Sequence, residues 1–271
     1  MSINKIMRLL PPLQNVVATG IATGQITPGR TIERIIFKLG GTTFTKAMLT
    51  LLKLKANGKV IFEATGTQID KLMTFRGIAA SANYLVVDFT EIRGRDRLDQ
   101  MVGAFDTSEG ISNITVEATI TGATAPTLEA SVVESGKQMG PYAGLMQKVL
   151  RYPWQSTVGG KINLTLPFGG SVGAVIKRVH FEQVTGNITA LEVKQDGLTL
   201  HESVKALNEF VQVEHGRTPQ ALWYTADFIV DGNQGNTLDT RDARSLEFNP
   251  TLSAADSGFV IVEYYDVLGN L

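Results

Sequence analysis

Apolar residues in this chain come in short runs that are bounded by turn-forming residues. Val, Ile, Thr and Phe cluster in the runs, whereas Gly, Asn, Asp and Pro separate them. This pattern predicts many short β-strands joined by tight turns. Helical spacing of apolar positions is convincing only at 65–75 and 202–211. The positions that share a helix face are Ile69, Leu72 and Met73 in the first stretch, and Val204, Leu207 and Val211 in the second.

One hairpin-like segment is written twice. Residues 55–63 read KANGKVIFE and residues 194–202 read KQDGLTLHE, with Lys, Gly and Glu recurring in place. Further landmarks follow in the same order, at offsets of 135 to 146 residues. They are Gly29 with Gly169, IIFKL (35–39) with VIKRV (175–179), the two helical stretches, VVDF (86–89) with TADF (225–228), Leu98-Asp99 with Leu238-Asp239, and NITVEATI (113–120) with FVIVEYYD (259–266). The colinear order predicts an internal duplication of a whole β domain.

The order of the predicted elements defines the kind of β domain. Each half has an early β-meander, one helix and a late pair of strands, without the alternating strand–helix rhythm of a parallel sheet. We therefore predict an all-β protein made of two tandem eight-stranded jelly-roll sandwiches, a double jelly roll, with a short helix in each. A pair of immunoglobulin-like sandwiches is the alternative, but the Cys and Trp spacing of those domains is missing.

The predicted domain boundaries follow from the same landmarks. Residues 1–13 form an N-terminal segment, 14–125 the first jelly roll, and 161–271 the second. Residues 126–160 form a joint, in which the amphipathic stretch GLMQKVLRYPW (144–154) is suited to cap an edge or an end of a sandwich.

Composition excludes several classes of function. The chain has 271 residues, a formal net charge of −1 and no cysteine. Disulfides, thiolate zinc sites and thiol nucleophiles are therefore excluded, and no basic surplus indicates sequence-specific or bulk binding of nucleic acid. The charged run EIRGRDRLDQ (91–100) alternates in sign and is interpreted as a solvated loop or an intersubunit salt-bridge patch.

No recognised arrangement of catalytic residues is found. The three histidines, His180, His201 and His215, have no H-E-x-x-H or other paired spacing, so structural or surface roles are preferred to metal binding. Neither Gly169-Gly170-Ser171 nor Glu134-Ser135-Gly136 forms a G-x-S-x-G nucleophile elbow. We expect no enzymatic activity and no cofactor.

An acidic loop is the one candidate for an ion. The segment 231–242 contains oxygen ligands of the type that calcium prefers, on a backbone that glycine lets bend sharply. The candidate ligands are Asp231, Asn233, Asp239 and Asp242. An ordinary solvated turn is the preferred interpretation, and calcium is the alternative.

The N-terminal segment is a candidate for contact with lipid. Ile6, Met7, Leu9 and Leu10 are apolar, whereas Lys5 and Arg8 are suited to anionic headgroups. Pro11-Pro12 end any helix that begins before them. We expect this segment at a membrane-proximal face, and a disordered or strand-swapped terminus is the alternative.

Four stretches resemble the major capsid proteins of corticoviruses, the membrane-containing icosahedral phages with a double jelly-roll coat protein. They are TPGRTIERIIFKL (27–39), LPFGGSVGAVIKRVHF (166–181) with ALEVKQDG (190–197), YTADFIVDG (224–232) and SGFVIVEYYDV (257–267). The resemblance implies a homotrimer of pseudo-hexameric outline that tiles an icosahedral shell over an internal lipid membrane. It also implies neighbouring capsomers, minor capsid proteins and membrane proteins as partners, and a virion assembled in the host cytoplasm.

Two other classes of function stay open at this point. One is a pair of lectin-like sandwiches that bind carbohydrate on a surface or a virion, although only Trp154 and Trp223 are available to stack on sugar rings. The other is a double-jelly-roll glycan hydrolase or amidase, which needs a carboxylate pair facing a cleft.

Overall fold

The fold is taken from a computed structural model, which describes residues 5–138, 143–169 and 175–271. The chain divides into two compact units. Unit 1 comprises Met1–Val149 and Val267–Leu271, and unit 2 comprises Leu150–Asp266. Among the residues that the structure describes, no helix is long and apolar enough to cross a membrane.

Strands dominate both units. The elements from the N-terminus to β10 are β1 Ile6–Leu9, β2 Gly20–Ile26, β3 Thr31–Thr43, β4 Leu49–Ala56, β5 Lys59–Ala64, α1 Gly66–Phe75, β6 Tyr84–Asp88, α2 Arg97–Met101, β7 Phe105–Asp106, β8 Ile114–Ile120, β9 Thr124–Ser135 and β10 Leu145–Ser156. The remaining elements are β11 Gly160–Lys161, β12 Val175–Gln183, β13 Ile188–Gln195, β14 Leu198–Val204, α3 Lys205–Glu214, β15 Trp223–Asp227, β16 Leu238–Asp239, β17 Leu246–Leu252 and β18 Asp256–Val267. Among the described residues, short 3-10 helices lie at Lys46–Met48, Gln234–Asn236 and Leu268–Asn270.

The two units repeat one strand order. In unit 1 the strands follow the orders β1-β9-β3-β6 and β2-β8-β4-β5, and in unit 2 the orders β10-β18-β12-β15 and β11-β17-β13-β14. The short strands β7 and β16 pair with β3 and β12 respectively. In unit 2 both sheets supply the core, where the rings of Phe181 and Phe248 lie 6.2 Å apart. Two four-stranded sheets in this order form a jelly roll, so the predicted double jelly roll is confirmed.

The repeated sequence segment is the same hairpin in both units. In β4–β5, Lys55 pairs with Val60 and the register shifts before Leu54 pairs with Phe62. In β13–β14, Lys194 pairs with Thr199, and the register shifts before Val193 pairs with His201. The turn residues Asn57-Gly58 and Asp196-Gly197 all have positive φ, as the tight turn of a two-residue hairpin requires. The predicted equivalence of Gly58 and Gly197 is therefore confirmed.

The helices after the two hairpins are equivalent at an offset of 139 residues, because α1 begins at Gly66 and α3 at Lys205. Matching the two helical stretches of the sequence at an offset of 135 was wrong, since that match rested on apolar spacing rather than on the helix ends. Both helices end at a glycine of positive φ, Gly77 and Gly216. The next residue donates to the carbonyl five positions back, Ile78 N to Met73 O and Arg217 N to Gln212 O.

Three of the matched landmarks were also wrong. Strand register makes Arg34 equivalent to Arg178, an offset of 144 rather than the 140 that matches IIFKL with VIKRV, so the counterpart of His180 is Ile36. Phe105-Asp106, not Leu98-Asp99, is equivalent to Leu238-Asp239. Strand β8 corresponds to β17, and β9 corresponds to β18. Short Val-rich strings resemble each other by chance, and register depends on which strands they pair with.

Other expectations differ from the structure in detail. The described residues contain three α-helices rather than one per sandwich, because α2 follows the N-cap Asp96 inside the run predicted as a loop. The predicted joint 126–160 consists largely of β9 and β10, and its amphipathic stretch is a strand. The N-terminal segment contains β1, which pairs antiparallel with β9. Residues 1–4 and 170–174, which include Gly170-Ser171, lie outside the described residues.

Candidate functional site

A layer of charged side chains is buried on the face of the β15-β12-β18 sheet that lies opposite the core of unit 2. Lys177 Nζ lies 2.9 Å and Arg178 Nη1 3.2 Å from Glu263 Oε2, and all three side chains are almost fully buried. Lys177 also lies over the ring of Tyr265, 5.2 Å from its centroid. Lys177 reaches this face because the β12 register shifts between Ile176 and Arg178.

Asp227 extends the layer by pairing with two arginines. Its carboxylate oxygens lie 2.9 Å from Arg178 Nε and 3.1 Å from Arg217 Nε. Unit 1 has the equivalent pair, with Arg34 Nη2 3.0 Å from Asp88 Oδ2. This arginine–aspartate pair is therefore part of the repeated framework, and such buried pairs are costly to break. Sequence reasoning missed it, although three cationic or titratable residues in IKRVH (176–180) already interrupt an apolar strand pattern.

His180 belongs to this buried layer. Its Nε2 lies 3.0 Å from Glu263 Oε1, its Nδ1 lies 2.9 Å from Thr225 Oγ1, and its ring lies 5.2 Å from the ring of Trp223. Burial lowers the pKa of His180, against the opposing effect of Glu263. The neutral ring donates from Nε2 to Glu263 and accepts at Nδ1 from Thr225, so its role is structural.

The other histidines are separate from it. Burial also lowers the pKa of His201, whose Nε2 lies 3.4 Å from the Tyr224 hydroxyl, and His215 is exposed and donates from Nδ1 to the Val211 carbonyl. Within the described ranges, no group of three or more His, Cys, Asp or Glu side chains is arranged to hold a metal ion.

The calcium candidates do not converge. Asp231 accepts from the Asn233 backbone and from the Asn236 amide, and Asn233 accepts from the Gly235 backbone. Asp239 lies in β16 and forms an ion pair of 2.5 Å with Arg241, which lowers the pKa of Asp239. These contacts are those of Asx turns and a surface ion pair.

Lys5 and Arg8 each pair with a buried carboxylate. Lys5 Nζ contacts Glu33, and Arg8 donates from Nη2 and Nε to Glu134 at 2.7 and 3.1 Å. The hydrogen bonds to Glu134 raise the pKa of Arg8. Lys5 and Arg8 therefore fasten β1 to the sheet, and part of their positive charge is neutralised. Glu134, in the Glu134-Ser135-Gly136 sequence, has the same structural role.

Helix α3 turns its apolar side outward. Leu207 and Phe210 are 55% and 65% exposed, and Val204 and Val213 are exposed beside them. We call these four residues, three in α3 and Val204 at the end of β14, the α3 face. The buried positions hold Asn208 and Gln212, whose amide groups donate to Thr225 O at 2.7 and 2.8 Å.

Helix α1 has the opposite arrangement. At the positions of Asn208 and Gln212, it buries Ile69 and Met73. The second helix is therefore amphipathic as its apolar spacing predicts, but its apolar side faces outward and not towards the core. Large exposed apolar side chains in a row on one helix indicate an interaction surface.

The outer side of the β1-β9-β3-β6 sheet is also apolar. Met7 and Leu9 are 65% and 67% exposed and Tyr84 is exposed, while three further apolar side chains on adjacent strands are partly exposed. The six residues are Met7, Leu9, Ile36, Tyr84, Val86 and Val133, which we call the unit 1 sheet face. Strand register makes Ile36, Tyr84, Val86 and Val133 equivalent to His180, Trp223, Thr225 and Glu263 of the buried layer in unit 2.

Comparisons with solved structures agree with this fold. The major capsid protein P2 of bacteriophage PM2 is 19% identical with a TM-score of 0.85, and 97% of each chain is covered. The STIV MCP is 15% identical with a TM-score of 0.72 over 98% of this chain and 97% of that one. The Faustovirus major capsid protein is 7% identical with a TM-score of 0.65 over 98% and 90%. At these identities, the similarity establishes the double jelly-roll fold.

Family comparisons cover nearly the whole chain. The comparison with curated proteins finds no match. The viral coat protein P2 N-terminal domain matches residues 7–134, and the viral coat protein P2 C-terminal domain matches residues 146–268. The two matches fall on the two sandwiches in the expected order, and the lectin-like alternative is not favoured. The chain belongs to the viral coat protein P2 family and is a viral major capsid protein.

Proposed function

We propose that three copies of this chain form a pseudo-hexameric capsomer that tiles an icosahedral shell. Membership of a coat-protein family places the chain in the virion. The observation that carries the proposal is the complete repetition of strand order in the two units. Two similar blocks per chain and three chains per ring present six similar blocks around one axis, which is the outline needed to pack capsomers in a hexagonal layer.

The mass of the purified protein in dilute solution tests the trimer. Three chains of 29.3 kDa give 3 × 29.3 = 87.9 kDa. We expect that mass by light scattering at micromolar concentration, because a ring of large heterologous contacts resists dilution. A monodisperse species of 29.3 kDa contradicts the proposal.

We further propose that the shell covers a lipid membrane, with the end of unit 1 at which β1 begins nearest the lipid. Lys5 begins this end and keeps an exposed side chain despite its pair with Glu33. Basic residues at an anionic surface each contribute about 1 kcal/mol to binding. Because Lys5 and Arg8 are partly neutralised by Glu33 and Glu134, we expect the attraction to lipid to come from a few charges rather than from a basic patch.

Flotation with anionic liposomes tests the membrane contact. We expect Lys5→Glu to lower the bound fraction, whereas Lys38→Glu should leave it unchanged. Lys38 is a matched control, because it is an exposed lysine of the same sheet and is paired with a carboxylate, Glu129. Equal effects of the two substitutions contradict a membrane-proximal role for Lys5.

The remaining parts of the proposal concern chemistry and place of assembly. We propose that the protein has no enzymatic activity and that it assembles in the host cytoplasm with minor capsid and membrane proteins. The titratable side chains that cluster in unit 2 form ion pairs with one another, as in Lys177 with Glu263 and Arg178 with Asp227. Screens of glycosidase, esterase and phosphatase substrates should show no turnover above buffer. A rate abolished by replacing one carboxylate contradicts this.

A further inference from the structure

The outer edge of β5 is covered within unit 1. Strand β10 adds a parallel bridge to it, with Val149 opposite Phe62. Lys59 Nζ donates to Asn270 O at 2.7 Å near the turn of the same hairpin. Ile61 and Phe62 of β5 are buried, with Ile61 only 1% exposed. The outer edge of β5 therefore already has a partner inside unit 1.

The equivalent strand of unit 2, β14, is not covered in this way. It ends its sheet, and no other described strand pairs with its outer edge. Leu200, the counterpart of Ile61, is 43% exposed, and Leu198 is exposed beside it. A cleft of about 550 Å³ next to them is lined further by Phe228 and Leu238. An unpaired edge with exposed leucines is a site for adding a strand.

The α3 face continues this open edge, because α3 follows β14 directly and packs against it. Together the exposed side chains of Leu198, Leu200 and the α3 face present on the order of 500 Å² of apolar surface, in the upper part of the range for the largest patch on a monomeric protein. A stable interface buries about 800 Å² on each partner, so this patch alone supplies more than half of one side.

The unit 1 sheet face is a second exposed apolar surface of the same chain. Strand β1 is its edge strand, and no described strand pairs with the outer side of β1. In strand order β1 is the counterpart of β10, because β1 flanks β9, β10 flanks β18, and β9 and β18 are equivalent. Strand β10 thus pairs with β5 inside unit 1. The counterpart of β5 is β14 and the counterpart of β10 is β1, and these two strands have outer edges without a described strand partner.

We propose that the occupant of the β14 edge and the α3 face is the unit 1 sheet face of a second copy of this chain. Strand β1 of that copy lies parallel beside β14, and Met7 and Leu9 pack with Leu207 and Phe210. The inference rests on the proposed trimer and deepens it by naming the surfaces that meet. The two surfaces differ, so the contact is heterologous, and three such contacts close a ring without leaving either surface exposed.

The test uses two variants that each damage one surface. Leu207→Asp/Phe210→Asp places charges on the α3 face, and Met7→Asp/Leu9→Asp places them on the unit 1 sheet face. The control is Val158→Asp/Val184→Asp, which replaces two exposed valines outside both surfaces. All substituted side chains are exposed, so the thermal midpoint of the monomer fold should be retained. We expect a shift from 87.9 kDa to the 29.3 kDa monomer in the first two variants only.

Mixing the two damaged variants tests the direct contact. The first variant keeps an intact sheet face and the second keeps an intact α3 face, so one contact can form but the ring cannot close. We expect a 1:1 species of 2 × 29.3 = 58.6 kDa. Absence of this species, or a trimer that persists in either damaged variant, overturns the inference while the trimer itself stands. A monomeric wild type overturns the trimer and the inference together.

Discussion

Gly58 and Gly197 share one backbone conformation, with φ of +82° at both positions, although they lie 139 residues apart in the chain. Each is the second turn residue of its hairpin and follows a residue that also has positive φ, Asn57 or Asp196. The side chains of Asn57 and Asp196 each bind the turn to the residues just before the neighbouring strand, β8 or β17. Asn57 Oδ1 accepts from Ser112 N at 3.0 Å, and Asp196 Oδ1 accepts from Ser245 N at 2.8 Å. The duplication therefore preserved hydrogen bonds as well as chain direction.

Replacing either turn glycine by alanine should cost the same free energy of unfolding. No atom lies within 4 Å of a Cβ added at Gly58 or Gly197, so the cost is that of the left-handed conformation alone, about 1 kcal/mol. Urea denaturation measures it. Gly136→Ala is the control, because it also meets no neighbour and its φ is not in the left-handed region, so no loss is expected there. A loss in only one hairpin argues against equivalent turns.

Glu263→Gln should destabilise the protein strongly. The change leaves Lys177 and Arg178 buried without their shared carboxylate, and breaking a buried pair in this way costs about 3–5 kcal/mol. Glu129→Gln removes the same charge from an exposed pair with Lys38 and should cost less than about 1 kcal/mol. Chemical denaturation of both variants checks the prediction, and similar losses contradict the structural importance of the buried layer.

Stability should fall as the pH drops below the ordinary histidine pKa. The folded-state pKa of His180 is lowered, so the unfolded chain binds a proton first when the pH falls below 6.5. The stabilisation from the neutral ring is complete above 6.5 and is lost on acidification towards the folded-state pKa. The charged groups around the ring are Glu263, Arg178 and Asp227.

The pH prediction is checked by measuring the free energy of unfolding against pH for wild type and His180→Gln. The variant should have a shallower slope below pH 6.5, whereas His215→Gln, at an exposed position, should keep the wild-type slope. Parallel curves for wild type and His180→Gln rule out this contribution. His201, with its own lowered pKa, contributes to the slope that remains in His180→Gln.

Removal of divalent cations should leave thermal stability unchanged. Asp239 is engaged by Arg241, and Asp231 by backbone and amide donors, so calcium would have to displace these contacts. We expect equal thermal midpoints in EDTA and in millimolar calcium. A midpoint that rises with calcium and is insensitive to it in Asp231→Asn identifies a bound ion and contradicts the turn interpretation.

The sequence was sufficient to predict the repeated hairpins, the first helix and the double jelly roll. Local signals carry these features, since Asn57-Gly58 and Asp196-Gly197 define their own turns and the apolar spacing of α1 matches its buried side. Strand equivalence was harder, because the offset changes from 144 at Arg178 to 139 at Asp227 and depends on insertions between strands. Only pairing in three dimensions resolves such shifts.

The buried layer and the α3 face could not be predicted from local patterns. Glu263 meets Arg178 across 85 residues of sequence, and the position of Lys177 depends on an irregularity in β12. Apolar spacing in α3 correctly indicates an amphipathic helix, but spacing alone does not say which side faces the core. The polar residues Asn208 and Gln212 are the informative ones, because their amide groups satisfy Thr225 O.

The buried charges also constrain the order of events during synthesis on the ribosome. Lys177 and Arg178 emerge long before Glu263, since 85 residues separate Arg178 from that carboxylate. Until β18 has been translated, enclosing β12 would bury Lys177 and Arg178 without the Glu263 carboxylate that both contact, which is costly. We therefore expect the second sandwich to stay open until β18 is available, when all strands of the two sheets of unit 1 have already been synthesised. A nascent chain stalled before β18 should be captured by chaperones through its second half, and release of the stall should end that capture.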